Sequence, residues 1–277
     1  MADMGTLFVV ATPIGNLADI TYRAVDILKK VSLIAAEDTR TTQHLLNHYQ
    51  ISTTITSYHD HNKNKKTRTL VNHLESGNVA LVSDAGTPGI NDPGYVLIRA
   101  ALDAGHTVTP IPGPSAPVAA LSAAGLPTDA FTFLGYIPRT THHRKKQFQD
   151  VETLPHTLVF LASPHRLTDS LQDLARTLGQ RQLVVARELT KVHEEIFRGN
   201  PQQALTYFKG RAIKGEITLI VAGATPQTQK WPRGKLIQAL EGHIRENRLP
   251  PSKIAKHLAE QSGWKRRKIY DLLTDLD

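Results

Sequence analysis

Through the first 110 or so positions, short runs of aliphatic and β-branched residues alternate with longer stretches in which apolar residues return every three or four positions. The pattern predicts strands over 5–11, 32–36, 53–57, 79–83 and 107–111, with helices over 18–30, 39–48, 64–75 and 93–104 between them. This is the strand-helix-strand rhythm of a parallel sheet. Gly125-Leu126-Pro127-Thr128 marks a boundary, after which apolar runs at 131–134, 157–161, 183–187, 194–197 and 216–221 predict a second set of strands. These strands follow one another without intervening helices, notably across Lys191, which predicts a mixed sheet. From Pro226 the period becomes helical, with short amphipathic helices expected over 235–246, 251–261 and 265–273, separated by Asn247-Arg248-Leu249-Pro250 and Ser262-Gly263-Trp264. The fold class expected is therefore two α/β domains, 1–124 with a parallel sheet and 125–225 with a mixed one, and a helical, helix-turn-helix-like tail over 226–277.

What interrupts this pattern carries the chemistry. Ser83 to Gly94 reads S-D-A-G-T-P-G-I-N-D-P-G directly after the run Val79-Ala80-Leu81-Val82. Glycines let backbone approach a ligand, and Pro88 and Pro93 stiffen the loop so that less entropy is lost on binding. Taken alone, such a loop also serves simply to turn the chain. Two more of the same kind, Ala11-Thr12-Pro13-Ile14-Gly15-Asn16 and Pro112-Gly113-Pro114-Ser115-Ala116, follow the first and fifth strands. In an open parallel sheet all three emerge at the carboxyl ends of strands, where ligands bind, so turning alone does not account for them.

The chain has 277 residues, enough for two modest α/β domains with buried cores. It has no cysteine, which excludes disulfides, thiolate metal sites and cysteine nucleophiles and suits a reducing cytosol. No apolar run approaches a membrane span and the N-terminus shows no signal-like pattern, so a soluble, cytoplasmic protein is expected. A net charge of +8 makes a polyanionic partner plausible. Two basic runs concentrate it: residues 59–68, with four Lys or Arg and two His, and residues 139–146, which follow the aromatics Phe131, Phe133 and Tyr136. Both are read as loops. They suit phosphate neutralisation if they share a face, and otherwise are solvated surface. His59 and His61 lack a third ligand at a recognisable spacing, so no metal site is expected.

Glu37-Asp38-Thr39-Arg40 follows the strand Leu33-Ile34-Ala35-Ala36 and opens a helix. Asp38 there is a natural N-cap, and the same charges at the ligand side of a sheet also suit orienting a polar substrate. Arg187 to Lys191, Glu194-Glu195 and Lys214-Gly215-Glu216 put mixed charge at strand ends of the second set, where a hairpin rim gives the same pattern. No Ser-His-Asp pattern, Walker loop or paired-carboxylate signature can be assigned, and the Pro13 loop lacks the later glycines of a dinucleotide fingerprint.

In combination, the blocks Ala11 to Leu17, Ala36 to Arg40, Ser83 to Ile90 with Asp92-Pro93-Gly94, Ile111 to Ala116, Ser163-Pro164-His165-Arg166, Ala186 to Lys191 and Lys214 to Glu216 resemble the small-subunit ribosomal RNA methyltransferase I family. That family lies within the tetrapyrrole methylase (class III) superfamily of S-adenosylmethionine enzymes. The resemblance runs nearly the whole length; Asn91 stands where the family pattern has Ser, and the C-terminal helices match more loosely. It implies two α/β domains with S-adenosylmethionine in the cleft between them, a homodimer, and 2′-O-methylation of a cytidine ribose in the decoding region of small-subunit RNA, free or in the 30S subunit. By the same resemblance, donor contacts fall on Pro13, on Ser83, Asp84, Ala85, Gly86 and Thr87, on Ser115 and Ala116, and on Ala162 and Leu189.

A ribose hydroxyl is weakly acidic, so the reaction needs a base for its proton or a cation for the developing alkoxide. Glu37 or Asp38 is the candidate base, with Arg40 or Lys191 as electrostatic partner. Two rivals share parts of the pattern. A relative acting on a tetrapyrrole or a modified histidine would keep the donor loops, but the basic runs and the Ala-Glu-Asp-Thr-Arg block favour RNA. A basic RNA-binding protein without catalysis would have no reason to keep the donor loops. In the tail, Trp264-Lys265-Arg266-Arg267-Lys268 either offers four cations to a polyanion or solvates a small bundle packed through Ile254, Leu258, Ile269 and Leu272.

Overall fold

The computed structural model describes residues 5–225, 231–246 and 249–275; Pro226, and Asn247 and Arg248 of the first tail linker, lie outside them. The described chain divides into two compact units between Gly223 and Ala224.

In the first unit, β1 (Thr6–Val10), β2 (Leu33–Ala36), β3 (Ile55–Ser57), β4 (Val79–Val82) and β5 (Thr107–Ile111) form a sheet in the order β3-β2-β4-β1-β5. Every pairing is parallel, as the alternating pattern predicts. The four side chains of β4 are all buried because helices cover both faces. On one face Val10, Ile34 and Ala80 pack against Leu28 and Leu46, from α1 (Tyr22–Lys30) and α2 (Thr39–His48). On the other Leu7, Ala35 and Leu81 meet Leu70 and Leu97, from α3 (Lys63–His73) and α4 (Gly94–Asp103). Burying each such aliphatic side chain contributes about 1.5–3 kcal/mol. The helix expected over 18–30 is two pieces, a 3-10 turn at Leu17–Asp19 and then α1, because the Thr21 hydroxyl accepts from the Ala24 N–H at 3.1 Å and starts a new helix.

The second sheet comprises β6 (Phe131–Tyr136), β7 (Thr157–Ala162), β8 (Leu183–Arg187), β9 (Glu195–Gly199) and β10 (Ile217–Val221), ordered β6-β7-β10-β8-β9. β6 and β7 are parallel and the other pairs antiparallel, so the sheet is mixed as expected. The expectation that no helices intervene holds only across Lys191. Elsewhere α6 (Thr141–Asp150), α7 (Leu167–Thr177) and α8 (Pro201–Phe208) lie between strands. α6 reads as a polar loop since Phe148 is its one buried apolar side chain; docking onto Leu158, Phe160 and α7 decides its conformation. A further helix absent from the sequence reading, α5 (Ala116–Ala124), covers the opposite face of the second sheet, with Ala120 and Leu121 against Val159, Val184 and Ile220. Packing thus passes from the first sheet to the second in the loop over 112–115, before the Gly125 turn.

In the second unit α9 (Arg233–Glu246), α10 (Pro251–Ser262) and α11 (Arg266–Thr274) bury Leu236, Leu240, Ile254, Leu258, Ile269 and Leu273 together. Gly263, at φ +66°, ends α10 in the left-handed conformation. Lys265, Arg266, Arg267 and Lys268 are all exposed.

Candidate active site

Parallel register aligns the carboxyl ends of β2, β4, β1 and β5, so the loops that follow them meet at one edge. They are stitched together by backbone. Thr12 and Gly86 exchange both hydrogen bonds, at 2.9 and 3.0 Å, and the Thr87 hydroxyl donates to the Pro114 carbonyl at 3.1 Å. Gly86 sits at φ +81°, where an L side chain is strained. Asp92 closes the long loop on itself, accepting from the Gly89 and Gly94 N–H groups at 2.8 and 2.7 Å.

Two adjoining cavities open at this edge. The first, about 330 Å³, is bounded by Ala85, Gly86, Thr87, Ser115 and Ala116 from the loops and by Phe133, Tyr136, Ala162 and Glu216 from the second sheet. The second, about 280 Å³, is lined by Pro13, Ser83, Asp84, Ala85, Lys191 and Glu216 among others. The structure thus brings nine of the ten expected donor contacts to one edge but splits them, with Ala85 common to both cavities. Leu189 lines neither; its side chain packs on the α5 face of the second sheet. Ile14, Phe133, Tyr136 and Glu216 also line the first cavity and were not expected there. For Tyr136 a sequence signal exists in Gly135: a β-bulge between Phe133 and Tyr136, with Gly135 at φ +64°, sets the strand end toward the cavity. The first cavity suits a nucleoside-sized ligand. Ile14, Ile90, Phe133 and Leu161 give it apolar walls, and Ser115 leaves the start of α5 without a side-chain cap.

The charged candidates separate by environment. Asp38 caps α2, accepting from the Arg40 N–H at 2.8 Å and from the Arg40 guanidinium at 2.7 and 3.1 Å, and its hydrogen bonds with Arg40 hold its carboxyl at about 2. Arg40, with its side chain 88% exposed, lines an outer polar hollow with Thr39 and His44 instead of either cavity. Glu37 is half-buried and receives the Asp84 N–H at 3.3 Å; burial pushes its carboxyl up, and the nearby Asp84 charge adds to this against the hydrogen bond. The Asp84 carboxylate in turn accepts from the Asp38 N–H at 2.9 Å, joining the Glu37 segment to the second cavity wall. Lys191 lines that cavity directly, with its ammonium 2.9 Å from Glu188 and 3.4 Å from Glu216. Among the described residues no His, Asp and Glu cluster could hold a metal ion, and no helix is long and apolar enough to cross a membrane.

Most of each basic run is helical, the first within the helix expected over 64–75, while residues 59–62 and 139–140 lead into the helices. Residues 63–68 belong to α3 and residues 141–146 to α6. Arg144 faces inward, its guanidinium 2.7 Å from Asp173 with both side chains 4% exposed, so it is a buried structural ion pair and not a phosphate contact. Lys65, Arg68, Arg139, Lys145 and Lys146 remain exposed.

The fold that carries this strand-end edge has known counterparts. The sequence pattern of the family described as Tetrapyrrole (Corrin/Porphyrin) Methylases matches residues 6–204. The chain belongs to the tetrapyrrole methylase family. Within it, the chain is 46% identical over 277 residues to a protein of Synechocystis named Ribosomal RNA small subunit methyltransferase I, across 99% of each. Proteins of the same name in Halalkalibacterium halodurans and Escherichia coli O157:H7 are 44% and 46% identical, across 98% and 96% of this chain and 95% and 93% of theirs. Among solved structures, a cobalt precorrin-4 methyltransferase shares the fold with a TM-score of 0.63 at 15% identity, over 80% of this chain and 96% of its own. Uroporphyrin-III C-methyltransferase from Thermus thermophilus, solved with S-adenyl homocysteine, gives 0.55 at 17%, over 78% and 97%. This tetrapyrrole methylase is thus much nearer in sequence to the ribosomal RNA methyltransferases than to the corrin and porphyrin enzymes whose fold it shares.

Proposed function

We propose that the chain transfers a methyl group from S-adenosylmethionine to the ribose 2′-hydroxyl of a cytidine in the decoding region of small-subunit ribosomal RNA. The observation that carries this reading is the convergence of the Pro13, Ser83 and Pro112 loops on two joined cavities, in a chain 44–46% identical to proteins named for that RNA. The first cavity fits the donor: apolar walls for its ring and side chain, a glycine loop for close backbone approach, and the hydroxyl residues Thr87, Ser115 and Ser163 in its lining. Ala85, Gly86, Thr87, Ser115, Ala116 and Ala162 would hold it there, with Pro13, Ser83 and Asp84 bounding the side on which the acceptor arrives. When bound, the donor's sulfonium supplies the methyl group together with its own leaving group.

What remains for the protein is alignment and management of the hydroxyl proton. Glu37 is the base we favour over Asp38, because burial makes its carboxylate the stronger proton acceptor while Arg40 keeps Asp38 a weak one. The Lys191 ammonium at the second cavity supplies positive charge for a developing alkoxide. Arg40, in the outer hollow, is placed to meet RNA backbone instead of the reacting oxygen. Such an enzyme works as a homodimer in the cytoplasm, where ribosomes are built.

The test is incubation with labelled S-adenosylmethionine and small-subunit RNA, free and as 30S particles, from a strain lacking the protein, followed by mapping of the label. Label on a single decoding-region cytidine, lost on substitution by 2′-deoxycytidine there, is the expected result. Label on a base, or none with a donor-binding protein, would overturn the proposal.

A further inference from the structure

Lys191 reaches the second cavity from the connection between β8 and β9, and that connection is strained. Glu188 and Thr190 have φ of +52° and +66°. Thr190 is β-branched, so a left-handed backbone there persists only where its surroundings enforce it. They do. The Glu188 N–H donates to the Glu216 carbonyl at 2.9 Å, the Glu216 N–H to the Glu188 carboxylate at 3.1 Å, and the Thr190 N–H to the Glu194 carboxylate at 2.6 Å. Glu188 thus lies over Gly215, whose missing side chain leaves it room.

The side chain of Lys191 then crosses Gly15, 176 residues earlier in the chain. A Cβ on Gly15 would overlap the Lys191 Cγ and stand 2.9 Å from its Cε and 3.0 Å from the Leu189 carbonyl oxygen. Gly15 does not have a left-handed backbone, so its conformation does not call for glycine. The space does. Beyond this crossing the ammonium meets Glu188 at 2.9 Å and the more exposed Glu216 at 3.4 Å.

We infer that Gly15 and Glu188 are positioning residues for Lys191, the first by leaving a track for its stem and the second by anchoring its ammonium at the junction of the two cavities. Glu188 is the close, sheltered partner, while Glu216 is the long, solvent-facing contact that an incoming anionic or hydroxyl group displaces. The inference rests on the methyl-transfer reading for its effect on rate, but the placement of Lys191 can be measured without it.

Two readouts keep these apart. The first is the acylation rate of Lys191 by a dilute anhydride, followed by mass spectrometry against the exposed Lys29 in the same molecules. Gly15→Ala and Glu188→Gln should each raise the Lys191 rate severalfold relative to Lys29, whatever reaction the protein catalyses. The second is a double-mutant cycle on methylation. Gly15→Ala should lower kcat about ten- to hundredfold with donor affinity unchanged, and cost under about twofold when Lys191 is already Ala. Glu188→Gln, which preserves shape, tests the anchor if Gly15→Ala does not fold. Unaltered acylation in the folded variants, or a full Gly15→Ala penalty in the Lys191→Ala background, would overturn the inference.

Discussion

Replacing Gly86 with valine tests whether the long strand-end loop forms the donor site. A Cβ at Gly86 would meet Ile14 Cγ2 at 3.6 Å and the Pro114 carbonyl oxygen at 3.8 Å, ordinary contacts, so the cost does not come from a clash. It comes from φ +81°. An L residue held there is strained by roughly 1–2 kcal/mol, and a β-branched one lies toward the upper end of the range of about 1–3 kcal/mol. Relaxation is resisted by the two hydrogen bonds to Thr12, so the loop can relieve the strain only by leaving the position in which it bounds the first cavity. Binding must then restore that position, and about 2 kcal/mol corresponds to roughly a thirtyfold rise in the Kd for S-adenosylmethionine. Calorimetric titration measures this, with thermal unfolding alongside. Gly179→Ala is the control, since Gly179 shares the backbone conformation at φ +66° with nothing within 4 Å and lies outside both cavities. It should lower Tm by a few degrees, at about 2–4 °C per kcal/mol, and leave donor affinity alone. Unchanged affinity in a folded Gly86→Val variant would remove the loop from the site, and equal loss in the control would make the effect one of global stability.

Glu37→Gln should lower the methylation rate about 10²- to 10⁴-fold with donor affinity intact; because the base must be ionised and burial raises its pKa above 4.5, wild-type activity should fall as pH drops through that raised value, and a flat acid limb would reject Glu37. Arg144→Ala leaves the buried Asp173 with only the longer, exposed Arg176 contact at 3.8 Å and should destabilise the fold by up to about 3–5 kcal/mol, read by denaturant unfolding, whereas an RNA-contact role predicts normal stability. Changing Lys65, Arg68, Lys145 and Lys146 together to Ala should keep the fold and reduce the salt slope of RNA binding by up to about 0.7 per lost contact with single-stranded RNA; an unaltered slope identifies these cations as solvated surface. Truncation after Ala224, at the border of the two compact units, should preserve donor binding and reduce methylation of ribosomal substrate, and loss of donor binding would show that the tail supports the catalytic fold.

Local terms made the first sheet and the donor loops legible. Alternating periods fix strand and helix within a few residues, and Gly and Pro at a strand end restrict the backbone wherever that end sits in the molecule. Gly86, Pro88 and Pro112 therefore announce a site before any partner is known, and the ordered blocks point to the family. Elements whose stability comes from docking were not legible in this way. α6 is polar in sequence and becomes a helix because Phe148 and Arg144 find Phe160 and Asp173 on other elements. The same reasoning could not separate Arg144 from the lysines beside it, since a cation in a basic run carries no local mark of being buried. Nor could it divide the donor-loop residues between two cavities, separate the half-buried Glu37 from the Arg40-bound Asp38, or turn the Leu189 side chain onto the α5 face. Those outcomes depend on burial and on neighbours tens of residues away. Gly15 and Lys191 show the limit most plainly, because a glycine that exists to let another side chain pass has a reason found only where the two segments meet.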